Sequence, residues 1–280
     1  METAMRNDPD IRLEARALEE AVAGDGATAA AAATDGAGPA AASAAWTPLP
    51  LNVIRQAHRA SDETKALAHA AGGLTVLRDM TTRFYQKAFA DATLDTFIRS
   101  HDDPHGERFA MWVAEKMGLG RPWTAERQAR RVCPFHAHGN SIPGAHDRSS
   151  AHFAAWHSPK RSAEKWGDHF KLDDCRVWMR LHFWACREAG LFDNSPAFAD
   201  YYVKFLGHFV SVYESQAPQF ARESARWSEN PENITRYLEN GRTMSDVIGL
   251  SLNQALAQLP EEEKGYSGSS ARTLRWPYGR

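Results

Sequence analysis

The sequence predicts an all-α fold. Apolar residues recur at helical spacing in several segments, and helix-start and helix-stop residues bracket those segments. A capping-box pattern begins the first helix at Ser61, and Gly72-Gly73 ends it. No segment alternates apolar and polar residues over a length that indicates a strand. Four longer helical stripes follow, at 74–91, 105–118, 173–191 and 195–215. Two short helices are expected between 226 and 263.

Three parts of the chain differ in composition. Residues 1–45 are acidic and then rich in Ala and Gly, so they are expected to form a disordered leader. Residues 46–215 contain the long helical stripes and form the expected main domain. Residues 216–280 are expected to form a helical C-terminal extension that ends in a basic tail. Within the main domain the helical pattern weakens between Gly118 and Asp173, and an irregular segment of this length is usually functional or disordered.

The overall composition excludes several classes of partner. The net charge of the chain is -2, so no global field attracts nucleic acid or an anionic membrane surface. No apolar run approaches the length of a membrane span. The three cysteines, Cys133, Cys175 and Cys186, form no CxxC pair, and their odd number fits a reducing compartment. We therefore expect a cytoplasmic protein with no nucleic-acid or membrane partner; its oligomeric state is left open.

Several short motifs occur in a characteristic order. They are "GG", "RFYQKAFAD", "LDTFIRS", "GERFAMWVAEKMG" and "MGLGRPWTAER", followed later by "VWMRLHFW". Over residues 65–215 this order resembles the truncated haemoglobins, specifically their group II branch. The resemblance implies a globin-like domain, a truncated two-over-two helical sandwich, over 46–215, with extra C-terminal helices. It also implies haem b as cofactor, binding of O2, CO and NO, nitric oxide dioxygenation as a side activity, and a reductase partner.

The same resemblance assigns residues to a haem pocket. Tyr85 matches the distal-side tyrosine of "RFY", Phe97 the aromatic corner residue, and Trp178 the pocket tryptophan. On an ungapped count His105 falls at the distal helix position that faces the sixth iron site, with Phe109 one turn further on. A phenol hydroxyl and a neutral imidazole suit a partly anionic ligand, and His105 alternatively bonds the iron directly. The apolar walls are expected from aromatic side chains, namely Phe97, Phe109, Trp112 and Trp178.

The proximal iron ligand is ambiguous in the sequence. In the family a histidine lies thirteen residues before the pocket tryptophan, but that position is Lys165 here. His152 is the preferred candidate, because Asp147 or Ser149 can cap a short helix around it and small residues flank it. His169 is the alternative, since it keeps a Phe-x-Leu fragment. The propionates of a haem are expected to pair with nearby basic residues, namely Arg148, Lys160 and Arg161.

Two other interpretations compete with the haem site. A zinc site is conceivable from four histidines, although their spacing matches no closed zinc motif; they are His136, His138, His146 and His152. Without the family pattern, the pocket aromatics are ordinary core residues. The alternative function is accordingly a haem-free helical interaction module that uses the C-terminal extension. A Soret absorption band in haem-supplied protein distinguishes the two functions.

Overall fold

The computed structural model describes residues 47–54, 57–129 and 148–264, with side chains in the last range from 151 onward. Eleven α-helices lie within these residues, which confirms the helical class. They are α1 (Asp62–Ala70), α2 (Gly73–Ala90), α3 (His105–Lys116), α4 (Pro122–Ala129), α5 (Arg148–Trp156), α6 (Leu172–Glu188), α7 (Leu191–Asn194), α8 (Pro196–Val210), α9 (Ala221–Trp227), α10 (Pro231–Glu239) and α11 (Leu252–Ala257). Short 3-10 turns span Leu94–Phe97, Ala217–Phe220 and Glu261–Glu263. The expected leader and basic tail lie outside the described residues.

A small hairpin near the N-terminus has no counterpart in the sequence expectations. Strand β1 (Val53–Ile54) pairs antiparallel with β2 (Ala57–His58). Two residues per strand are too few to show an alternating pattern, so sequence periodicity cannot reveal them. The His58 side chain is buried, and its Nε2 lies 2.7 Å from the Tyr201 hydroxyl of α8. The hairpin is therefore fastened to the main helices.

The start of α1 matches the capping box that the sequence predicts. The Thr64 N–H donates to Ser61 Oγ, and the Ser61 N–H donates to Thr64 Oγ1. Helix α2 follows Gly72, whose φ of 102° lies in the left-handed region. A Cβ atom at Gly72 would lie 2.3 Å from Cγ2 of Val76, so this turn requires glycine on two counts.

Helices α2 and α3 approach each other closely where α3 begins. A Cβ atom at Gly106 would lie only 3.3 Å from the Thr81 carbonyl oxygen, so the backbones are near their limit of approach. Beside this contact the Arg78 guanidinium binds both oxygens of the Glu107 carboxylate at 2.7–2.9 Å. On its other side α2 packs against α6. This crossing fixes which residues of α2 and α3 face each other.

The loosely patterned segment between Gly118 and Asp173 contains two helices in its described part. Helix α5 was expected and is present, whereas α4 was not expected, because it buries no residue and has no apolar stripe. A carboxylate holds α4 instead: Glu115 accepts hydrogen bonds from the Thr124 N–H at 2.7 Å and hydroxyl at 2.5 Å. Helix α6 begins earlier than its two aspartates suggest, since Asp174 accepts from the Lys171 N–H at 2.9 Å.

The C-terminal extension shares one hydrophobic core with the preceding helices. Its buried members include Trp227, Tyr237, Met244, Val247, Ala255 and Leu259. The Tyr237 hydroxyl also donates to Asp91 Oδ2 at 3.0 Å, which joins α10 to the end of α2. Among the described helices none is both long and apolar enough to cross a membrane.

Two buried arginines of α6 connect this helix to the extension. The side chains of Arg176 and Arg180 are only 1% and 3% exposed, and both contact the Glu223 carboxylate of α9. Arg180 also donates to Asp246 at 2.7 Å, and Arg176 donates to Gln258 at 2.7 Å. A guanidinium so deeply buried is costly unless it is paired. Glu223, which both arginines contact, and Asp246 together supply the two negative charges that compensate them.

We therefore expect Glu223→Gln to lower the free energy of unfolding by about 2–3 kcal/mol, because the substitution leaves two buried cations with too little negative charge. Urea denaturation followed by tryptophan fluorescence measures the loss. The matched control is Glu229→Gln, in which the exposed partner of Arg187 is neutralised and the expected change is within about 0.5 kcal/mol. Equal stabilities of the two variants would show that the Arg176–Glu223–Arg180 cluster is not required.

Candidate haem site

Tyr85 and His105 meet where α2 and α3 cross. Tyr85 lies one turn beyond Thr81 on α2, and His105 precedes Gly106 on α3, so the close crossing brings their rings together. The rings are stacked, with centroids 5.3 Å apart and planes inclined by 21°. Burial raises the pKa of Tyr85, so its hydroxyl stays protonated and can donate a hydrogen bond. No described residue forms a hydrogen bond with that hydroxyl. The structure thus brings together the two residues expected on the distal side.

His105 has a hydrogen-bond partner of its own. Its Nε2 lies 3.0 Å from the Ser100 carbonyl oxygen, which can only accept, so Nε2 carries the proton. Burial lowers the pKa of His105, which favours the neutral imidazole. In this conformation the single N–H of His105 is directed to Ser100. Tyr85 is then the better donor to a small molecule beside the pair.

Phe84 connects Tyr85 to two further aromatic rings, those of Phe109 and Trp178. Their ring centroids are 5.9 Å apart, and both rings contact Phe84, which is buried behind them. Phe109 and Trp178 are themselves only half-buried although α3 and α6 belong to the core. Trp112 was expected in the apolar wall of the pocket. It is buried, and it packs on Phe205 and Phe209 of α8 as well as on Phe109.

A second aromatic cluster surrounds His152 on α5. The His152 ring contacts Phe170 at 5.5 Å and Tyr213 at 4.7 Å between centroids, and its Nδ1 lies 2.6 Å from the Tyr213 hydroxyl. Phe97, the expected corner residue, is buried and packs on the same Phe170 at 5.0 Å. A hydrogen bond at Nδ1 orients an imidazole, so the His152 ring is held in one orientation.

The alternative ligand His169 has a different environment. Its side chain is exposed, and its ring is stacked on the indole of Trp156 with centroids 3.8 Å apart. His157, which follows His152 by five residues, donates its Nδ1–H to the Phe153 carbonyl oxygen and packs against Trp166. Burial and orientation thus favour His152 among the described histidines of this region.

The basic residues expected near haem propionates have other partners in the structure. Lys160 Nζ lies 2.7 Å from Asp95 Oδ1, and Arg161 stacks over the Phe97 ring while it donates to the Lys165 carbonyl oxygen. The Arg148 side chain lies outside the described part. These contacts join the segment after α5 to the corner at Leu94–Phe97.

Sequence reasoning missed two residues of the site. His182 is fully buried on α6; its ring is stacked on Trp178 at 4.8 Å, and its Nε2 lies 3.0 Å from the Tyr202 hydroxyl. The only sequence signal is its i,i+4 spacing from Trp178, which puts both on one face of α6. Tyr213 was interpreted as part of the apolar stripe of α8, and no local pattern pairs it with His152.

The zinc alternative rests mainly on residues outside the described part, namely His136, His138 and His146. Within residues 47–54, 57–129 and 148–264, no group of three or more His, Cys, Asp or Glu side chains is arranged to hold a metal ion.

The chain was also compared with known proteins. It matches no protein-family model, no curated protein and no solved structure. The geometry of the two aromatic clusters must therefore support any functional proposal by itself.

The burial of His182 makes stability depend on pH. Desolvation lowers the pKa of His182 from 6.5 to about 3, so below pH 6.5 this histidine binds a proton in the unfolded chain but stays neutral in the folded chain. This stabilisation is complete above pH 6.5 and is lost as pH falls towards 3, at about 1.4 kcal/mol per pH unit.

We expect the fall in unfolding free energy from pH 7 to pH 5 to be about 2 kcal/mol smaller in His182→Gln than in the parent chain. Urea denaturation at both pH values measures it, and each variant serves as its own reference. Burial raises the pKa of Asp174 to about 6, so its contribution to the unfolding free energy changes with pH in the opposite direction. This contribution is the same in the parent chain and in His182→Gln, so it cancels when the two are compared. His69→Gln, at an exposed position of α1, should keep the parental difference. If His182→Gln also keeps it, His182 is not a buried neutral imidazole.

Proposed function

We propose that this chain is a haem-binding protein of globin-like architecture that takes up oxygen and other diatomic gases. The observation that carries the proposal is the Tyr85–His105 stack, in which Tyr85 packs on Phe84, the ring that also contacts the half-buried Phe109 and Trp178. A protonated phenol that has no hydrogen-bond partner among the described residues, in these aromatic surroundings, suits a small ligand that is weakly basic at its outer atom. A bound haem would supply an iron that coordinates the gas reversibly.

The described residues fit a haem by their chemistry. A flat apolar macrocycle requires aromatic or aliphatic walls, which Phe97, Phe109 and Trp178 provide. His152 would hold the iron, and the Tyr213 hydroxyl orients its ring. The uncharged state of Tyr85 and His105 avoids burying an isolated charge next to an apolar group. The packing of α2 on both α3 and α6 is also compatible with a globin-like helical sandwich.

The first test is an absorption spectrum of the full chain produced with haem supplied, in ferric, ferrous and CO-bound forms. A Soret band that shifts on addition of CO is the expected result. A folded, colourless chain would refute the proposal and favour the haem-free interaction module.

We expect His152→Ala to lose stable haem binding, because the axial bond to iron is removed while the aromatic walls remain. Added imidazole should restore the spectrum by occupying the space of the deleted ring. The measure is haem retained per chain after gel filtration, with His169→Ala as the control that keeps haem. Loss in His169→Ala with retention in His152→Ala would assign the ligand to His169.

Tyr85→Phe should accelerate oxygen dissociation about ten-fold or more and change CO dissociation little. A hydrogen bond to a charged acceptor contributes about 1.5–3 kcal/mol, and the outer atom of CO carries less negative charge than that of oxygen. Stopped-flow ligand replacement measures both rates. Tyr201→Phe, which removes the hydroxyl that contacts His58, is the control and should leave both unchanged. Unchanged oxygen release in Tyr85→Phe would exclude Tyr85 as the donor.

His105→Leu should affect oxygen dissociation less than Tyr85→Phe does, because the N–H of His105 is directed to the Ser100 carbonyl. Its ring stacks on Tyr85, however, so a change in CO association measured by flash photolysis is expected. A five-coordinate ferrous spectrum in the parent chain would agree with this orientation. If the parent is six-coordinate and His105→Leu becomes five-coordinate, His105 leaves Ser100 and bonds the iron.

A further inference from the structure

Helix α5 carries a buried polar group that the surrounding protein does not satisfy. The side chain of Trp156 is only 5% exposed, and its indole N–H is buried without a hydrogen-bond acceptor among the described residues. A buried donor without a partner is costly, and such groups are rare in native proteins. We therefore expect this N–H to have a partner from outside the chain, either a ligand or a water molecule.

The unsatisfied N–H belongs to the aromatic cluster around His152. Trp156 lies one turn beyond His152 on the same face of α5. Its ring contacts Phe170 at 5.7 Å, and Phe170 contacts the His152 ring at 5.5 Å. On the indole face His169 is stacked with centroids 3.8 Å apart and planes inclined by 15°. These contacts hold the indole in one plane, so the direction of its N–H is fixed.

One cation beside the same cluster has no carboxylate in direct contact. The Arg161 guanidinium lies over the Phe97 ring, 4.2 Å from its centroid. It donates to backbone carbonyl oxygens, those of Lys165 and Asp168, while the carboxylates of Asp168 and Asp174 attract it only from a longer distance. The charge of Arg161 is therefore only partly compensated, which favours an anionic group at this edge of the cluster.

We propose that the indole N–H of Trp156 binds a carboxylate of the ligand that occupies the His152 cluster. The inference rests on the proposed haem function: haem b carries propionate carboxylates, and one of them would accept this hydrogen bond. The bond would satisfy the buried donor, and the charge of Arg161 would stabilise the carboxylate. No covalent bond forms or breaks. Trp156 is then a specificity residue, which favours porphyrins with free carboxylates over porphyrins without them.

The test compares haem with haem dimethyl ester, in which both propionates are esterified and uncharged. The full chain, prepared without haem, is titrated with each compound, and absorption at the Soret band gives the two dissociation constants. The test variant is Trp156→Phe, which keeps an aromatic ring and removes the N–H. The control is Trp166→Phe, which changes an exposed tryptophan of the same region.

A second variant separates the N–H from the packing of the ring. It carries the benzothiophene analogue of tryptophan at position 156, in which sulfur replaces the N–H and the shape of the ring is kept. Urea denaturation of this variant without haem measures whether the N–H contributes to the stability of the chain itself.

We expect Trp156→Phe to weaken the binding of haem about ten-fold more than the binding of the ester, because a lost packing contact affects both compounds and a lost hydrogen bond affects only the carboxylate. The analogue should weaken haem binding by a similar factor and leave the urea midpoint of the haem-free chain unchanged. Trp166→Phe should change the two dissociation constants equally.

Equal weakening of haem and ester in both position-156 variants, with an intact Soret band in the parent chain, would overturn the carboxylate proposal and leave the haem function standing. A lower urea midpoint of the haem-free analogue would also overturn it, because the N–H would then have a partner within the chain. Absence of a Soret band in the parent chain would overturn both proposals.

Discussion

The close crossing of α2 and α3 is the constraint on which the candidate site depends. Gly106 lets the α3 backbone approach Thr81, and the Arg78–Glu107 pair holds the helices beside that contact. Thr81 is buried, but its hydroxyl donates to carbonyl oxygens of its own helix, so this group keeps a hydrogen-bond partner at the crossing. Tyr85 lies one turn beyond Thr81 on α2, and His105 is adjacent to Gly106 on α3. The close approach of Thr81 and Gly106 therefore brings the rings of Tyr85 and His105 together.

Helix α6 connects the candidate site to the C-terminal extension. Trp178 and His182 lie on the face towards the site, while Arg176 and Arg180 lie on the other side, where Glu223 and Asp246 pair with them. Residues two positions apart on a helix point in nearly opposite directions, so the two pairs separate completely. The C-terminal extension therefore supports the helix that carries Trp178, which gives the extension a structural role.

The sequence predicts the helices well where an apolar stripe or a cap is present and poorly elsewhere. The capping box at Ser61 and the long stripes of α2, α3, α6 and α8 appear in the structure, because local hydrogen bonds and a single buried face determine such helices. Helix α4 is not predicted, because it is held by tertiary hydrogen bonds that Thr124 donates to the Glu115 carboxylate.

The candidate site divides in the same way. Tyr85 and His105 were expected together from a family pattern and lie together. His152 and Tyr213 are sixty-one residues apart, and no local sequence pattern around either residue predicts their contact. Likewise the burial of His182 depends on Phe84, Phe109 and Trp178 from three helices, which no local pattern can place.

Charge is distributed unevenly around the two aromatic clusters, and this distribution follows from the cost of burial. Inside, the polar groups are phenols and imidazoles held neutral, as the pKa of His182 at about 3 and the lowered pKa of His105 show. Charged groups lie at the rim, where Lys160 and His101 both contact the Asp95 carboxylate and lower its pKa. Neutral donors inside can favour a ligand of small partial charge without attracting ions, while the charged rim joins the corner to the segment after α5. An apolar cofactor and a weakly polar gas are the ligands that such a division of charge suits best.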